Sequence, residues 1–184
     1  MLPPRDTREV NQGRRLFLLR HAKSNWDDAS LRDEERPLAK RGRRAAALLQ
    51  QHLRARDVRV DLVLCSPARR TRETWEGVCA GLHSDPDVRF VPAVYEATSS
   101  ELLDQLRDVA PSVGSVLIIG HNPGIETLAA ELISGGKAGA LARLRDGFVT
   151  GGFATLSLDS AWADLDRGGA KLEDYLRPRE RYGG

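Results

Sequence analysis

The sequence predicts a single α/β domain, residues 1–184, in which helices flank a mostly parallel sheet. Short apolar runs alternate with longer amphipathic stretches through the middle of the chain, a pattern typical of alternating strands and helices. One run, Ser115–Ile119 (SVLII), is apolar almost throughout, as expected for a central strand covered on both faces. A chain of 184 residues is also long enough to bury a core of its own.

The first half of the chain is predicted to form two strand–helix units. The strands are Arg15–Leu19 (RLFLL) and Asp61–Cys65 (DLVLC). A helix is predicted after Pro37, because apolar residues recur there at helical spacing. A second helix is predicted to start at Ser66-Pro67, since serine is a favoured N-cap and proline suits the first helical position.

The second half begins with a short extended segment at Val88–Tyr95, followed by a helix that the capping box Thr98–Glu101 opens. Asn122-Pro123 follows the Ser115–Ile119 strand and predicts another helix by the same cap-plus-proline reasoning. The alternating run Phe153–Leu158 (FATLSL) predicts a last strand.

Three segments lack such patterns. The glycine-rich stretch Ser134–Gly152 is expected to be a mobile loop that contains one short helix. Residues 1–13 and 168–184 are expected to be loosely ordered tails, the second because it is charged and flanked by glycine.

The composition excludes several classes of protein. The 28 basic residues nearly balance the 26 acidic ones, and a net charge of +2 gives no general surface for nucleic acid or membrane. The apolar runs are far shorter than the roughly 20 residues that span a bilayer. The first thirteen residues lack the apolar segment of a secretory signal, and Cys65 and Cys79 are expected to be buried free thiols. A cytoplasmic protein is therefore predicted; the oligomeric state is left open.

Polar motifs follow three of the predicted strands. Arg20-His21 follows the first strand, Ser66–Arg70 the second, and Gly120-His121 the Ser115–Ile119 strand. In an open α/β sheet, ligands bind beyond the carboxyl ends of the strands, beside helix N-termini. Two histidines and two or three arginines are therefore expected to share one crevice.

These side chains suit phosphate chemistry better than metal binding. Zinc or iron needs three or more ligands, and His21 and His121 have no companions at ligand spacing, while nearby arginines repel a cation. Guanidinium groups grip phosphoryl oxygens, and a neutral imidazole can attack phosphorus to form a covalent phosphohistidine. Neighbouring arginines favour the neutral imidazole. The sequence therefore predicts no metal and no cofactor.

The blocks around these motifs resemble the histidine phosphatase superfamily, also called the phosphoglycerate mutase-like family. They occur in order and cover most of residues 16–132: LRHAKSNWD, RPLAKRGRRAAALL, CSPARRTRET, VYEATSSELL and IGHNPGIETLAAEL. The alanine at position 22, the VYEA block and the compact length are most similar to the SixA-type phosphohistidine phosphatases. The resemblance implies a three-layer sandwich of the phosphoglycerate mutase-like type and the activity of a histidine phosphatase.

The resemblance also implies a role for each matching residue. His21 would be the phosphorylated nucleophile, and Arg20 and Arg70 would hold the phosphoryl group. His121 would contact that group in the transition state. Arg69 lies on another helical face and is expected at the rim of the site.

Four further residues are candidates for the site. Glu96 would be the general acid that protonates a leaving group; alternatively, it orients an arginine or caps the next helix. Asn25 and Asp27 lie in the loop that edges the pocket, and they either bind substrate or form a turn and a helix cap. Lys23 is near enough to His21 in sequence to tune the mouth of the site.

The predicted function is that of a metal-independent phosphatase that works through a covalent phosphohistidine and acts on phosphohistidine, or another phosphorylated residue, of a protein. The alternatives are a phosphomonoesterase of the same superfamily, acting on a small phosphate ester, and a non-catalytic phosphate-binding module. Glu96 and His121 are 25 positions apart, which leaves little chain to cover the crevice. An uncovered crevice favours a protein substrate.

Overall fold

The fold is described by a computed structural model that covers residues 13–178. Seven strands form one sheet: β1 (Arg14–Arg20), β2 (Leu62–Cys65), β3 (Asp87–Phe90), β4 (Ser115–Gly120), β5 (Ile133–Gly136), β6 (Phe153–Leu158) and β7 (Ala170–Leu176). The helices are α1 (Lys40–Ala55), α2 (Arg69–Val78), α3 (Ser99–Arg107), α4 (Gly124–Leu132) and α5 (Ala138–Leu144). Short 3-10 turns lie at Asp33–Glu35, Cys79–Gly81, Pro92–Val94 and Trp162–Asp164. Across the sheet the strand order is β3-β2-β4-β1-β6-β7-β5.

Helices cover both faces of the sheet, so the predicted three-layer α/β sandwich is confirmed. Side chains of β4 alternate between two cores: Val116 and Ile118 join the core beneath α3 and α4, and Leu117 and Ile119 join the core beneath α1 and α2. All four are at most 1% exposed. A strand that is buried on both faces must be apolar at every position, which explains the continuous run.

The sheet is mostly parallel, as predicted. Four of its six strand pairs are parallel, and β6 supplies the two antiparallel ones, with β1 and with β7. In the β1–β4 pair, Arg20 lies opposite Gly120, and in the β2–β4 pair, Cys65 lies opposite Ile119. The segments that follow β1, β2 and β4 therefore leave the sheet side by side at one edge.

Two helices begin later than predicted. Helix α2 starts at Arg69, and α4 starts at Gly124, so neither Ser66 nor Asn122 is the N-cap. The Ser66 hydroxyl instead bonds a histidine ring, and the Asn122 amide donates to Glu126 within α4. The capping box at the start of α3 is confirmed, with Thr98 accepting from the Glu101 N–H.

The glycine-rich segment Ser134–Gly152 is not a loop throughout, so this prediction is wrong in part. It contains most of β5 and all of α5. Arg143 of α5 donates to the Tyr175 carbonyl at 2.7 Å and to Asp174 at 2.8 Å. The bonds that order the segment come from residues about 30 positions away along the chain, where local composition gives no indication of them.

The predicted loose tail from residue 168 is also wrong, because β7 lies inside the sheet between β6 and β5. Leu172 and Tyr175 are fully buried. The charges between them have partners, since Glu173 accepts from a serine of β6 and Asp174 from an arginine of α5. Residues 1–12 and 179–184 of the two predicted tails lie outside the described residues.

Close contact between α1 and the loop after His21 requires a glycine at position 42. A Cβ at Gly42 would overlap the backbone carbonyl of Lys23. The Ala39 N–H donates to the same carbonyl at 2.8 Å. The start of α1 therefore fixes the backbone that carries His21.

Two other predictions concern the cysteines and the membrane. Cys65 and Cys79 are both free thiols; Cys65 is buried, as predicted, but Cys79 is only half-buried. Within residues 13–178, no helix combines the length and apolar character needed to cross a membrane.

Because β7 is an integral strand, Leu172→Ala is expected to lower the free energy of unfolding by about 2–5 kcal/mol, the usual cost of a cavity in a core. Its neighbour Lys171 is exposed, so Lys171→Ala should change the same quantity by less than about 1 kcal/mol. Urea unfolding of the two variants measures both. Equal, small effects would contradict an ordered β7.

Candidate active site

The residues that follow β1, β2 and β4 come together at one edge of the sheet. The ring centroids of His21 and His121 are 5.2 Å apart. Arg70, in the first turn of α2, reaches His121, with Nη2 3.2 Å from Nδ1. Arg20 ends β1 directly before His21 and is half-buried, whereas the other three side chains are less than one-tenth exposed. The structure thus brings together the two histidines and two of the predicted arginines.

The imidazole of His21 is held with one nitrogen free. Its Nδ1 lies 2.8 Å from the backbone carbonyl of Ala22. A carbonyl can only accept, so Nδ1 carries the proton and donates it. In the neutral ring, Nε2 therefore keeps its lone pair.

The tautomer of His121 is fixed from both sides. A guanidinium can only donate, so Nδ1 accepts from Arg70 and Nε2 carries the proton. That Nε2–H donates to the Ser66 hydroxyl, 2.7 Å away. Ser66 is fully buried. Its function is thus to orient His121, whereas the sequence analysis treated it as a helix cap.

Burial and positive neighbours keep both histidines neutral. Burial is the main cause that lowers the pKa of His21 to about 4, and Arg70 and Arg20 lower it further. Burial also lowers the pKa of His121 to about 3, with Arg70 as the next cause. At neutral pH, both rings therefore hold the lone pairs that the hydrogen-bond pattern assigns to them.

Arg70 is fixed by a clamp that consists of Asp33 and Tyr95. Its Nη1 donates to the Asp33 carbonyl at 2.6 Å, and its Nη2 to Asp33 Oδ2 at 2.8 Å. The Tyr95 hydroxyl donates to the same Oδ2 at 2.9 Å, and its ring meets His121 edge-on at 5.4 Å. Partial burial acts to raise the pKa of Asp33, but the bonds from Tyr95 and Arg70 outweigh it and the pKa is lowered. Asp33 therefore stays ionised opposite the guanidinium.

Sequence reasoning missed both members of this clamp. Asp33 is 37 positions from Arg70 along the chain, and Tyr95 is 62 positions from Asp33. Tyr95 lies beside Glu96 in the VYEA block; the block indicates Glu96 as the candidate general acid, whereas the ring that contacts His121 is that of Tyr95. The acidic run at Asp33–Glu35, in the loop after His21, was the available signal for a carboxylate near Arg70.

Arg20 is oriented by the end of the glycine-rich segment. Its Nη1 donates to the Phe148 carbonyl at 2.8 Å, and the Asn122 amide donates to the same oxygen at 3.0 Å. Gly151, at a φ of +71°, donates its N–H to the carbonyls of residues 20 and 21. Tyr175 of β7 anchors this loop through its hydroxyl, which accepts from the residue 149 N–H and donates to the residue 147 carbonyl.

The remaining predicted site residues have no hydrogen bond to the two histidines or to Arg20 and Arg70 among the bonds of residues 13–178. Glu96 is exposed and has a positive φ of 50°, directly after Tyr95. Asn25 Oδ1 accepts from the Asp27 N–H at 2.9 Å, which forms the turn that was the alternative interpretation of this pair. Lys23 is half-buried.

Arg69 points away from the centre. Its side chain is 57% exposed and pairs with Glu73 at 2.7 Å. Nowhere in residues 13–178 do three or more histidine, cysteine, aspartate or glutamate side chains group closely enough to hold a metal ion.

The chain is similar to known proteins over most of its length. The family model of the histidine phosphatase superfamily (branch 1) matches residues 16–105. The phosphohistidine phosphatase SixA of Escherichia coli K12 is 31% identical over 150 residues, which span 79% of this chain and 86% of that protein. The chain belongs to the histidine phosphatase superfamily.

Solved structures place this histidine phosphatase in the SixA-type branch. A SixA structure from Nakamurella multipartitia is 35% identical, with a TM-score of 0.77, and the match covers 90% of this chain and 96% of that one. A SixA protein complexed with tungstate is 25% identical, with a TM-score of 0.73, over 91% and 99% of the two chains. The chain is thus a phosphatase, a hydrolase, and the alternative of a non-catalytic binding module is set aside.

The lowered pKa values predict how the histidines titrate. Neither the His21 nor the His121 ring should take up a proton between pH 8 and about pH 5, which nitrogen-15 NMR of the imidazoles measures directly. The unfolded chain binds these protons near pH 6.5, so the free energy of unfolding should fall as the pH drops from about 6.5 to about 4. Titration of both rings near pH 6.5 would contradict this electrostatic account.

The clamp on Arg70 predicts a graded loss of activity. Asp33→Ala removes the carboxylate that fixes the guanidinium and should lower kcat on the order of 10-fold, whereas Tyr95→Phe, which keeps the ring, should cost less. A matched control is Asp87→Ala, since Asp87 is exposed on β3 and pairs with another arginine. Steady-state kinetics give kcat for each variant, and kcat should be lowest for Asp33→Ala, intermediate for Tyr95→Phe and highest for Asp87→Ala. An Asp33→Ala enzyme as fast as the Asp87→Ala enzyme would rule out the clamp.

Proposed function

We propose that this enzyme removes the phosphoryl group from phosphohistidine on a protein, through a covalent phosphohistidine at Nε2 of His21. In the first step, Nε2 attacks phosphorus, and the P–N bond to the substrate imidazole breaks as the P–Nε2 bond forms. In the second step, water attacks the same phosphorus and the P–Nε2 bond breaks. The water oxygen becomes the fourth oxygen of inorganic phosphate, and His21 returns to its neutral form.

The observation that carries this proposal is the state of the His21 ring. The bond from Nδ1 to the Ala22 carbonyl leaves the lone pair on Nε2, and the lowered pKa keeps that lone pair available at neutral pH. A nucleophile needs both features at once. The relative named as a SixA structure with tungstate supports an oxyanion site in this fold, because tungstate is a tetrahedral oxyanion like phosphate.

The groups around His21 suit a transferring phosphoryl group. Arg20 and Arg70 present positive charge, and the ring centroid of His121 lies 5.2 Å from that of His21. Charge on the phosphoryl oxygens is then stabilised by groups that the fold already holds in place. The same guanidinium groups repel a divalent cation, which is why we assign the reaction to a metal-independent site.

The proton needed by the leaving group distinguishes the possible substrates. An alkoxide needs a donor, but Asp33 is bound to Arg70 and Tyr95 and stays ionised, and Glu96 is exposed. The imidazole of phosphohistidine can already carry a proton on its second ring nitrogen, so it departs as a neutral molecule without help. For phosphate esters, we keep Glu96 as the candidate general acid.

The shape of the site also favours a protein substrate. The interval between Glu96 and His121 is used by α3 and β4, so it has no long insertion that could add a wall beside the histidines. A site without such a wall holds a small ester by little more than its phosphoryl group, whereas it admits a side chain on a protein surface. Asn25, Asp27 and Lys23, in the loop after His21, are proposed to contact the substrate protein.

The direct test compares kcat/KM for a phosphohistidine-bearing protein with kcat/KM for p-nitrophenyl phosphate and glycerol phosphate, with and without a chelator. We expect a preference for the phosphoprotein and no effect of the chelator. An acid-labile phosphoryl label, trapped by rapid quenching, should map to His21. A strong preference for one small ester would instead establish the phosphomonoesterase alternative.

Variants separate chemistry from folding in this test. His21→Ala should lower the rate by at least about 10³-fold, because the covalent route is lost, while its unfolding transition stays cooperative. His83→Ala is the matched control, since His83 is an exposed imidazole in the segment before β3. An active His21→Ala enzyme would refute the covalent mechanism.

A further inference from the structure

A cavity of about 730 Å³ opens beside the catalytic centre. Its walls are the Asp33–Glu35 turn, the outer side of α2 and the turn that ends at Tyr95. The lining includes Pro67 and Tyr95 together with four carboxylates, Glu34, Glu35, Glu73 and Glu76. Apart from Tyr95, none of the residues assigned to the proposed phosphoryl transfer lines this cavity.

The cavity adjoins the catalytic centre at Tyr95. This side chain lines the cavity, its ring packs edge-to-face with that of His121, and its hydroxyl bonds Asp33. Pro67, which lines the cavity, directly follows Ser66, and the Ser66 hydroxyl accepts the hydrogen bond from Nε2 of His121. A polypeptide whose phosphorylated side chain enters the centre therefore places its neighbouring residues against this cavity.

The charges of the cavity differ from those of the catalytic centre. Four glutamates line it, but only two arginines, Arg69 and Arg72. Arg69 is already bound to Glu73, and Arg72 lies over the Phe90 ring, 5.3 Å from its centre. The cavity therefore carries a net negative charge beside a centre that binds an anion.

Three of its carboxylates can accept a cation from outside. Glu34 and Glu35 both pair with Arg32, whose side chain is 72% exposed. Ion pairs this exposed are weak and exchange readily. Glu76 is exposed and has no ion pair among residues 13–178. A lysine or arginine side chain can thus replace water, or Arg32, at these oxygens.

We propose that this cavity binds a lysine or arginine side chain of the substrate protein, close in sequence to the phosphorylated residue. The proposal rests on the proposed function only in that it assumes a phosphorylated polypeptide as ligand. The enzyme would then select substrates that carry two opposite charges. The phosphoryl group binds at the two arginines of the centre, and the cation binds at the glutamates of the cavity. Opposite charges at a fixed separation give specificity more than affinity.

The test measures peptide binding to the 184-residue chain carrying His21→Ala, so that no turnover is needed. A set of phosphoserine peptides carries one lysine, moved through each position from four before to four after the phosphoserine, with glutamine as the reference. Dissociation constants come from fluorescence anisotropy at low ionic strength. We expect lysine to tighten binding about fivefold at one or two positions, and salt to reduce this advantage.

Variants of the cavity then identify where the lysine binds. Glu34→Gln combined with Glu76→Gln should bring the lysine-to-glutamine ratio of dissociation constants close to one. Asp104→Asn is the matched control for a lost negative charge, because Asp104 lies on α3, on the other face of the sheet, and it should keep the full ratio. A ratio is unaffected by any uniform change in affinity for the phosphate.

Each other outcome overturns the proposal: no position at which lysine improves binding more than twofold, no measurable binding of any lysine peptide, a preference for glutamate over lysine, or an unchanged ratio in the Glu34→Gln, Glu76→Gln protein. A failure of the proposed function would be distinguishable, because it would be seen in turnover of phosphohistidine by the wild-type enzyme and not in these binding constants.

Discussion

Parallel pairing of β1 and β2 on either side of β4 is the constraint on which the active site depends. The register sets Arg20 opposite Gly120 and Cys65 opposite Ile119, so the chain leaves all three strands at the same level. Only then do the ring of His21, the ring of His121 and the first turn of α2 meet. A slip by one residue in either pair would exchange the two faces of the strand and take these three groups out of level with one another.

In the centre, a buried guanidinium lies next to two imidazoles that are neutral at neutral pH. Arg70 is 6% exposed, and its guanidinium donates to both Asp33 and His121. Without the carboxylate, a buried cation would lie unpaired beside two imidazoles, which is costly. Asp33 thus offsets the charge of Arg70, and the guanidinium still points at His121. Surroundings that disfavour protonation keep the His21 ring neutral, so its Nε2 retains a lone pair.

Sequence reasoning worked where the determinants are local or periodic. The β4 run, the capping box of α3 and the strand-end positions of His21, Arg70 and His121 were all predicted from residues close in sequence. It failed where partners are distant. Asp33 meets Arg70 across 37 positions, and β7 alternates buried with charged residues whose partners lie on β6 and α5. Ser66 was misinterpreted because its hydroxyl serves a histidine that follows another strand.

The Tyr175 hydroxyl anchors the loop at residues 147–149, which includes Phe148, and this has a consequence for biosynthesis. The histidines and Arg70 are all translated within the first two-thirds of the chain, and their strands can pair as soon as β4 has left the ribosome. Arg20, however, is aimed by a carbonyl whose loop is tied to β7, which is synthesised well after His121. A nascent polypeptide that stops before β7 can therefore hold both histidines in place while the direction of Arg20 is still unset. The alignment of Arg20 is thus completed only after β7 has been synthesised.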